Sequence, residues 1–389
     1  MKKLEKSFNT DFKEGLAQKL RDKILNQGPI TFECFMGLCL YDEVHGFYRK
    51  RQVLGKKGHF FTNIQVSHLY GQLIAQQLLE MWEVMDKPDS FSVFEQGAHD
   101  GQLAIDILRW CRDFVPHFFE ALNYGIIESW KEGQLWQREK AKEAKVEGKL
   151  RHFSDIKEIA SHFIRGVFLS HELVDSFPVH RVIYCGGQWQ EIYVSWEEDK
   201  GFYEIFGALS SEELVETVKQ WPLPAVEGYQ TEISLAAKVW MNEVSHRLKQ
   251  GFVMTIDYGF SEKDYYSLHR SSGTLRAYYH HKSSERFYEF LGEQDLTAHV
   301  NFSLLKREGE LQGLRLVGFT DQGHFLTGIA KEDLLALEKK GVSASQKWVR
   351  AFQMLTHPNL MGLDFKVLCQ SKNLPEVSLK GFQWKSKML

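Results

Sequence analysis

Phe91-Ser-Val-Phe-Glu-Gln-Gly-Ala-His-Asp-Gly-Gln-Leu-Ala-Ile-Asp-Ile-Leu108 changes its period partway along. Phe91, Val93 and Phe94 make a short apolar run of the kind that forms a buried strand. Gly97 and Gly101 interrupt it. Leu103, Ile107, Leu108 and Cys111 then share one helical face. The stretch predicts strand, glycine turn and helix. Such a unit sets a helix N-terminus and free backbone N–H groups beside the carboxyl end of a strand. Open α/β sheets bind their ligands there.

The spacing narrows the ligand. A dinucleotide loop reads G-x-G-x-x-G and a phosphate loop G-x-x-x-x-G-K-[ST]; neither is present. What stands is Glu95-x-Gly97-x-x-x-Gly101, an acid ending the strand and two glycines four apart. The carboxylate suits an ammonium or sulfonium, and glycines let the backbone come close to a ligand. This loop resembles the first motif of class I S-adenosylmethionine methyltransferases. The same residues also fit a plain strand–turn–helix whose glycines serve only the turn.

Outward from this loop, short apolar strands alternate with helices. Tyr124-Gly-Ile-Ile-Glu128 predicts a second strand. Its terminal acid, Glu128, follows Gly101 at the distance where an acid accepts ribose hydroxyls. A charged helix over Trp130–Val146 comes next. A third strand, Leu150–Phe153, ends near Ser154-Asp155. A fourth, Val167–Ser170, runs into His171-Glu-Leu-Val-Asp175. A fifth, Phe252–Ile256, ends in Asp257-Tyr-Gly259, and Phe365–Cys369 reads as the last. The alternation predicts a mostly parallel, doubly wound sheet. The segment between strands four and five is too long for a bare connection and reads as an inserted α+β subdomain at about residues 176–235. Upstream, helices are expected over residues 11–27, Thr31–Tyr41 and Ser67–Met85. The expected division is an N-terminal helical module, 1–85, covering the cofactor site, and a catalytic domain, 86–389.

Composition sets limits. A chain of 389 residues, 43% hydrophobic, supports a large core. A net charge of −3 gives no nucleic-acid footprint. No 18-residue apolar run predicts a membrane span. Five scattered cysteines form no CxxC pair and read as reduced thiols. Glu5, Asp11 and Glu14 argue against a signal or transit peptide, so a cytoplasmic protein is expected. Sixteen histidines include the pair His280-His281, but no H-E-x-x-H occurs and no metal site is expected. The basic run Arg49–Lys57 reads as a solvated loop, and Phe60-Phe61 and Tyr278-Tyr279 as core or pocket walls.

Together these residues resemble the MidA-like family of class I S-adenosylmethionine-dependent methyltransferases. The matching pieces are Phe35–Tyr41 with Gly46-Phe-Tyr48, Gly58-His-Phe-Phe-Thr62, the Glu95–Gly101 loop with Asp106-Ile-Leu108, and Glu172-Leu-Val-Asp175 with Phe177-Pro178. Further on come Asp257-Tyr-Gly259, Gly273-Thr-Leu275, Gln294–Val300, and Gln322 with Phe325-Leu326. The resemblance implies a Rossmann-like methyltransferase fold with S-adenosylmethionine as cofactor. It implies a protein acceptor, arginine in particular, and a respiratory-complex subunit as the kind of partner, since mitochondrial members assist complex I assembly. Oligomeric state stays open, a homodimer included. Three departures stand out: His99-Asp100 replaces a glycine and a basic residue, Asn63-Ile-Gln-Val-Ser67 replaces Ser-Pro-Glu-Ile-Ser, and His171 replaces asparagine.

Expected cofactor contacts are Glu95, Gly97, Gly101, Glu128 and Asp155, with Phe60 and Thr62 as one wall. Methyl transfer needs positioning and a matching field rather than a covalent nucleophile, and no G-x-S-x-G occurs. A guanidinium acceptor is protonated at ordinary pH, so carboxylates must orient it. Glu172 and Asp175, three apart after strand four, are the expected pair. They would share one side of a following helical turn. The alternative is a cap or a structural ion pair. Asp257 and Tyr258 fit either the cleft or the core, and His299 reads as structural. A small-molecule methyltransferase and a non-catalytic assembly protein remain open.

Overall fold

The computed structural model describes residues 10–50, 63–280, 282–340 and 346–384. The chain divides into two compact units: Met1–Phe60 with Ser176–Ala236 and Lys263–His299, and Phe61–Asp175 with Ala237–Glu262 and Val300–Leu389.

The second unit holds the sheet that the quoted stretch predicts. Its strands are β1 (Phe91–Gln96), β2 (Leu122–Ile127), β3 (Leu150–Phe153), β4 (Ile164–His171), β5 (Leu248–Phe260), β6 (Arg315–Asp321) and β7 (Phe365–Lys372). They lie in the order β6-β7-β5-β4-β1-β2-β3. Neighbours from β5 through β3 run parallel. β7 is antiparallel to both β5 and β6. The chain leaves β1 toward β2 and β3, then returns to lay β4 and β5 on the other side. The switch point therefore falls between β1 and β4, where such sheets bind ligands.

Helices follow the apolar periods. α1 (Leu69–Val84) and α2 (Gln102–Phe114) cover one face, with Leu73, Leu78, Leu103 and Ile107 in a core with Val93, Tyr124 and Leu169. α1 thus belongs with the sheet, not with the helices before it. α3 (Lys131–Glu143) is shorter than the expected 130–146; its buried stripe is Gly133, Gln137 and Ala141. α4 (Leu235–Arg247) sets Trp240 on Phe168 of the opposite sheet face. α5 (Phe302–Leu311), α6 (Gln322–Ile329) and α7 (Gln346–Thr356) follow β5 in the chain. β5 runs past Ile256 because Val300–Asn301 becomes its parallel partner at Gly259 and Phe260. A Cβ at Gly259 would stand 2.1 Å from the Val300 carbonyl oxygen, so only glycine fits that pairing.

In the first unit, helices Thr10–Gln27 and Phe32–Tyr41 share a core with an antiparallel sheet from the inserted segment. Ile30–Thr31 pairs with Gln188–Glu197, which also pairs with His180–Cys185 and Gly201–Gly207. Thr31 caps its helix, accepting the Cys34 N–H at 3.1 Å. A second small sheet joins Arg276–Tyr279 to Lys282–Ser284 and Asp295–Thr297. Asp295 is buried and accepts the Tyr48 hydroxyl on both carboxylate oxygens. Among the described residues, no helix is long and apolar enough to cross a membrane.

Candidate active site

The carboxyl ends of five parallel strands bring most of the expected residues into one row. Glu95 stands one residue before the end of β1 and is fully buried. The Tyr124 hydroxyl donates to its Oε2 at 2.7 Å. Burial pushes the Glu95 carboxyl up to about 7, against the Tyr124 bond that pulls it down. Its neighbour Gln96 faces the other way and accepts the Trp240 indole N–H at 3.0 Å.

The loop after β1 is built on positive φ angles: +87° at Gly97, +44° at His99 and +75° at Gly101. Gly101 is the N-cap of α2 and supplies no side-chain bond to the helix's first turn. On their Cβ sides these glycines adjoin protein. A Cβ on Gly101 would meet Gln137 Cγ at 3.2 Å, and one on Gly97 would meet Leu173 Cβ at 3.0 Å. Their need is conformational, and the room they save is taken by protein. Two α3 side chains clamp the loop. Gln137 Nε2 donates to the His99 carbonyl at 2.7 Å, and Lys140 Nζ lies 2.6 Å from Asp100 Oδ2. Burial works against the Asp100 charge, but His99 and Lys140 beside it hold its carboxyl well below the usual range.

Glu128 sits just past β2. Its Oε1 accepts the Trp130 N–H at 2.8 Å, and its carbonyl accepts from Gln134, which also reaches Ser154. Asp155, two residues beyond β3, is exposed and caps its own turn through the Lys157 N–H at 2.7 Å. Phe60 and Thr62 lie outside the described residues.

The exit of β4 departs from the expected helical turn. Glu172 has φ +49°, the left-handed region. The single 3-10 turn begins only at Val174 and runs to Ser176. Glu172 and Asp175 therefore do not share a helical face, although both flank the switch point. Asp257, inside β5, organises this exit. Its Oδ2 accepts the N–H groups of Leu173, Val174 and Asp175 at 3.1, 2.9 and 3.3 Å, and its Oδ1 accepts that of Tyr258 at 2.8 Å. The carboxyl is fully buried, and burial pushes it up to about 7 despite those four bonds. Asp257 is thus a backbone anchor. His299 lies in the other unit, its N–H donating to Thr274 Oγ1 at 3.1 Å.

Sequence reasoning missed the Gln137–Lys140 clamp, although Gly133, Gln137 and Ala141 recur at the four-residue spacing of a buried stripe. It also missed Tyr70 on α1. That phenol is buried, and its hydroxyl has no hydrogen-bond partner among the described residues. Burial, then the charges of Glu172 and Glu95, oppose its ionisation.

A strand order of 6-7-5-4-1-2-3 with an inverted seventh strand is that of a class I S-adenosylmethionine-dependent methyltransferase. The residues present fit that cofactor: a buried acid, a helix N-terminus capped by glycine with Asp100 Oδ1 accepting its first N–H at 3.1 Å, acids after β2 and β3, and an unsatisfied buried hydroxyl. Residues 73–320 match the model of a family described as "Putative S-adenosyl-L-methionine-dependent methyltransferase", and the chain belongs to that family. S-adenosylmethionine is its cofactor. The chain is 28% identical to the Drosophila melanogaster protein named "Protein arginine methyltransferase NDUFAF7 homolog, mitochondrial", over 91% of this chain and 84% of that one. It is 26% identical to the Homo sapiens protein of the NDUFAF7 name, over 94% and 85%. A Burkholderia thailandensis protein crystallised with S-adenosyl-homocysteine superposes with a TM-score of 0.87 at 28% identity, over 98% of both chains. The cytoplasmic expectation is corrected here, because the named relatives are mitochondrial. It rested on the charges of the first residues, and those report composition rather than address.

Proposed function

We propose that this methyltransferase acts on arginine side chains of a protein substrate. The carrying observation is Glu172: a bulky acid held in left-handed backbone at the switch point, beside the Gly97 loop. A non-glycine residue in that conformation costs on the order of 1–2 kcal/mol, and strain of this kind persists where function needs it. The names of the relatives support arginine as acceptor. A respiratory-complex subunit is the substrate that the family resemblance implies.

In this reading Glu95, Gly97, Gly101, Glu128 and Asp155 hold the cofactor. The bound cofactor supplies an electrophilic methyl group on a sulfonium. Glu172 orients the guanidinium by a directional, charge-assisted bond, and Asp175 adds its negative field. One guanidinium nitrogen would accept that methyl group from the sulfonium, leaving S-adenosyl-homocysteine. The proton lost from that nitrogen passes to Glu172.

The test is transfer of tritiated methyl from S-adenosylmethionine to the proteins of a lysate lacking this enzyme, followed by hydrolysis to amino acids. Label in methylarginine is expected. Label confined to other amino acids, or to small molecules, would overturn the arginine reading.

A further inference from the structure

A chain of buried polar groups ends at the exit of β4 and takes no part in the proposed transfer. It joins Asn63, His171 and Gln322, far apart in sequence. All three are buried, the two amides fully. Buried amides are costly unless bonded, and here each bond fixes the sense of the next.

The Leu355 carbonyl can only accept, so Gln322 Nε2, 2.9 Å away, donates to it. That fixes which way the Gln322 amide faces. Gln322 Nε2 also donates to Asn63 Oδ1 at 3.0 Å, and Gln322 Oε1 accepts from Asn63 Nδ2 at 2.8 Å. The reciprocal pair fixes the Asn63 amide in turn. Asn63 Nδ2 has a second hydrogen, and His171 Nε2 stands 3.4 Å from it. An amide nitrogen cannot accept, so His171 Nε2 must, and it carries no proton. The proton of the neutral ring is on Nδ1, and Nδ1 faces Glu172 Oε1 at 3.7 Å. The ring is held stacked on Phe365 at 5.8 Å and tilted against Tyr70 at 5.3 Å. Burial pushes its pKa down to about 3, so it stays neutral.

We propose that the Leu355–Gln322–Asn63–His171 relay is a positioning device: it fixes the Nδ1–H form of His171 and so aims one N–H at the Glu172 carboxylate. This rests on the acceptor role given to Glu172 above. At 3.7 Å the bond is not yet made; it closes when the acceptor is bound, as catalytic hydrogen bonds do. His171 acts through Glu172 and is a positioning residue.

Two measurements on the 389-residue chain test this. The first is two-bond 1H–15N spectroscopy of histidine-labelled protein, with His171 assigned by its loss in His171→Phe, or in His171→Asn if the Phe variant does not fold. The wild type should show the Nδ1–H form, and Gln322→Met should mix in the Nε2–H form. An Nε2–H form in the wild type overturns the proposal. The second compares methyl transfer to lysate proteins. His171→Phe keeps the ring but removes the donor, and should slow transfer tenfold or more with S-adenosyl-homocysteine affinity within twofold of wild type. His171→Asn restores an N–H donor and should transfer within threefold of wild type. A merely structural histidine would order the variants by stability and not by donor. Wild-type transfer by His171→Phe beside a defective Glu172→Gln overturns the relay alone. Wild-type transfer by Glu172→Gln overturns the acceptor reading, and the positioning claim with it, whatever the tautomer.

Discussion

The loops after β1 and β4 lie side by side, with Gly97 facing Leu173, yet they are held by opposite means. The first is fixed from outside. Its glycines take positive φ, and two side chains of α3, Gln137 and Lys140, clamp it at His99 and Asp100. The second is fixed from within. One buried carboxylate, Asp257, collects three of its N–H groups, and the strained residue is an acid, not a glycine. The difference teaches how each tolerates change. A loop held by several side chains degrades in steps, whereas a loop held by one anchor fails at once.

Asp257→Ala is the sharpest way to break the contrast. It leaves three loop N–H groups and that of Tyr258 without their acceptor, and should cost about 3–4 kcal/mol by urea denaturation. Methyl transfer should be lost with it. Gly101→Ala should cost less, about 1–2 kcal/mol from the left-handed backbone, with further strain against Gln137. Cofactor affinity, read by calorimetry with S-adenosyl-homocysteine, should fall severalfold. A stable Gly101→Ala protein with unchanged affinity would show that the first loop is not under conformational demand.

Glu172→Gly inverts the pattern. Glycine accepts φ +49° freely but costs entropy in the unfolded chain, so stability should change by no more than about 1 kcal/mol in either direction while transfer disappears. A large loss of stability would mean that Glu172 is a structural residue.

The smallest effect is in pH. Burial raises Glu95 under the first loop and Asp257 under the second to about 7, and Asp295 likewise. The folded state then holds protons that the unfolded chain has released. The stability from these groups is full at low pH and is lost as pH rises through 7. His171 and His152, pushed down to about 3 and about 4 by burial, oppose this only below about 6.5. The thermal midpoint without cofactor should therefore be higher at pH 6.5 than at pH 8, and Glu95→Gln should shrink the difference. Cofactor affinity should run the other way, weakening below pH 7 as Glu95 takes a proton.

Much of the first loop was legible in the sequence because its determinants are local. Glu95, Gly97 and Gly101 stand within seven residues, and an apolar period changes around them. The second loop was legible in its residues but not in its shape. Glu172 and Asp175 invited a helical turn, and what forbids it is Asp257, more than 80 residues on. Nor does Asn63 announce that it pairs with Gln322. Such contacts depend on strand order, which a period cannot encode. The surroundings of the glycines were hidden for a related reason: their φ was readable, but the neighbours on their Cβ sides are Gln137 and Leu173, contributed by other elements.

The most direct test of the account measures two quantities on Glu172→Gln. Glutamine keeps the size and the hydrogen-bonding oxygen but loses the charge. S-adenosyl-homocysteine affinity should stay within twofold of wild type, while methyl transfer to lysate proteins falls by about a hundredfold, within the range of general acid–base effects. Transfer at the wild-type rate with intact cofactor binding would contradict the account, because the carboxylate at the switch point would then have no part in the reaction.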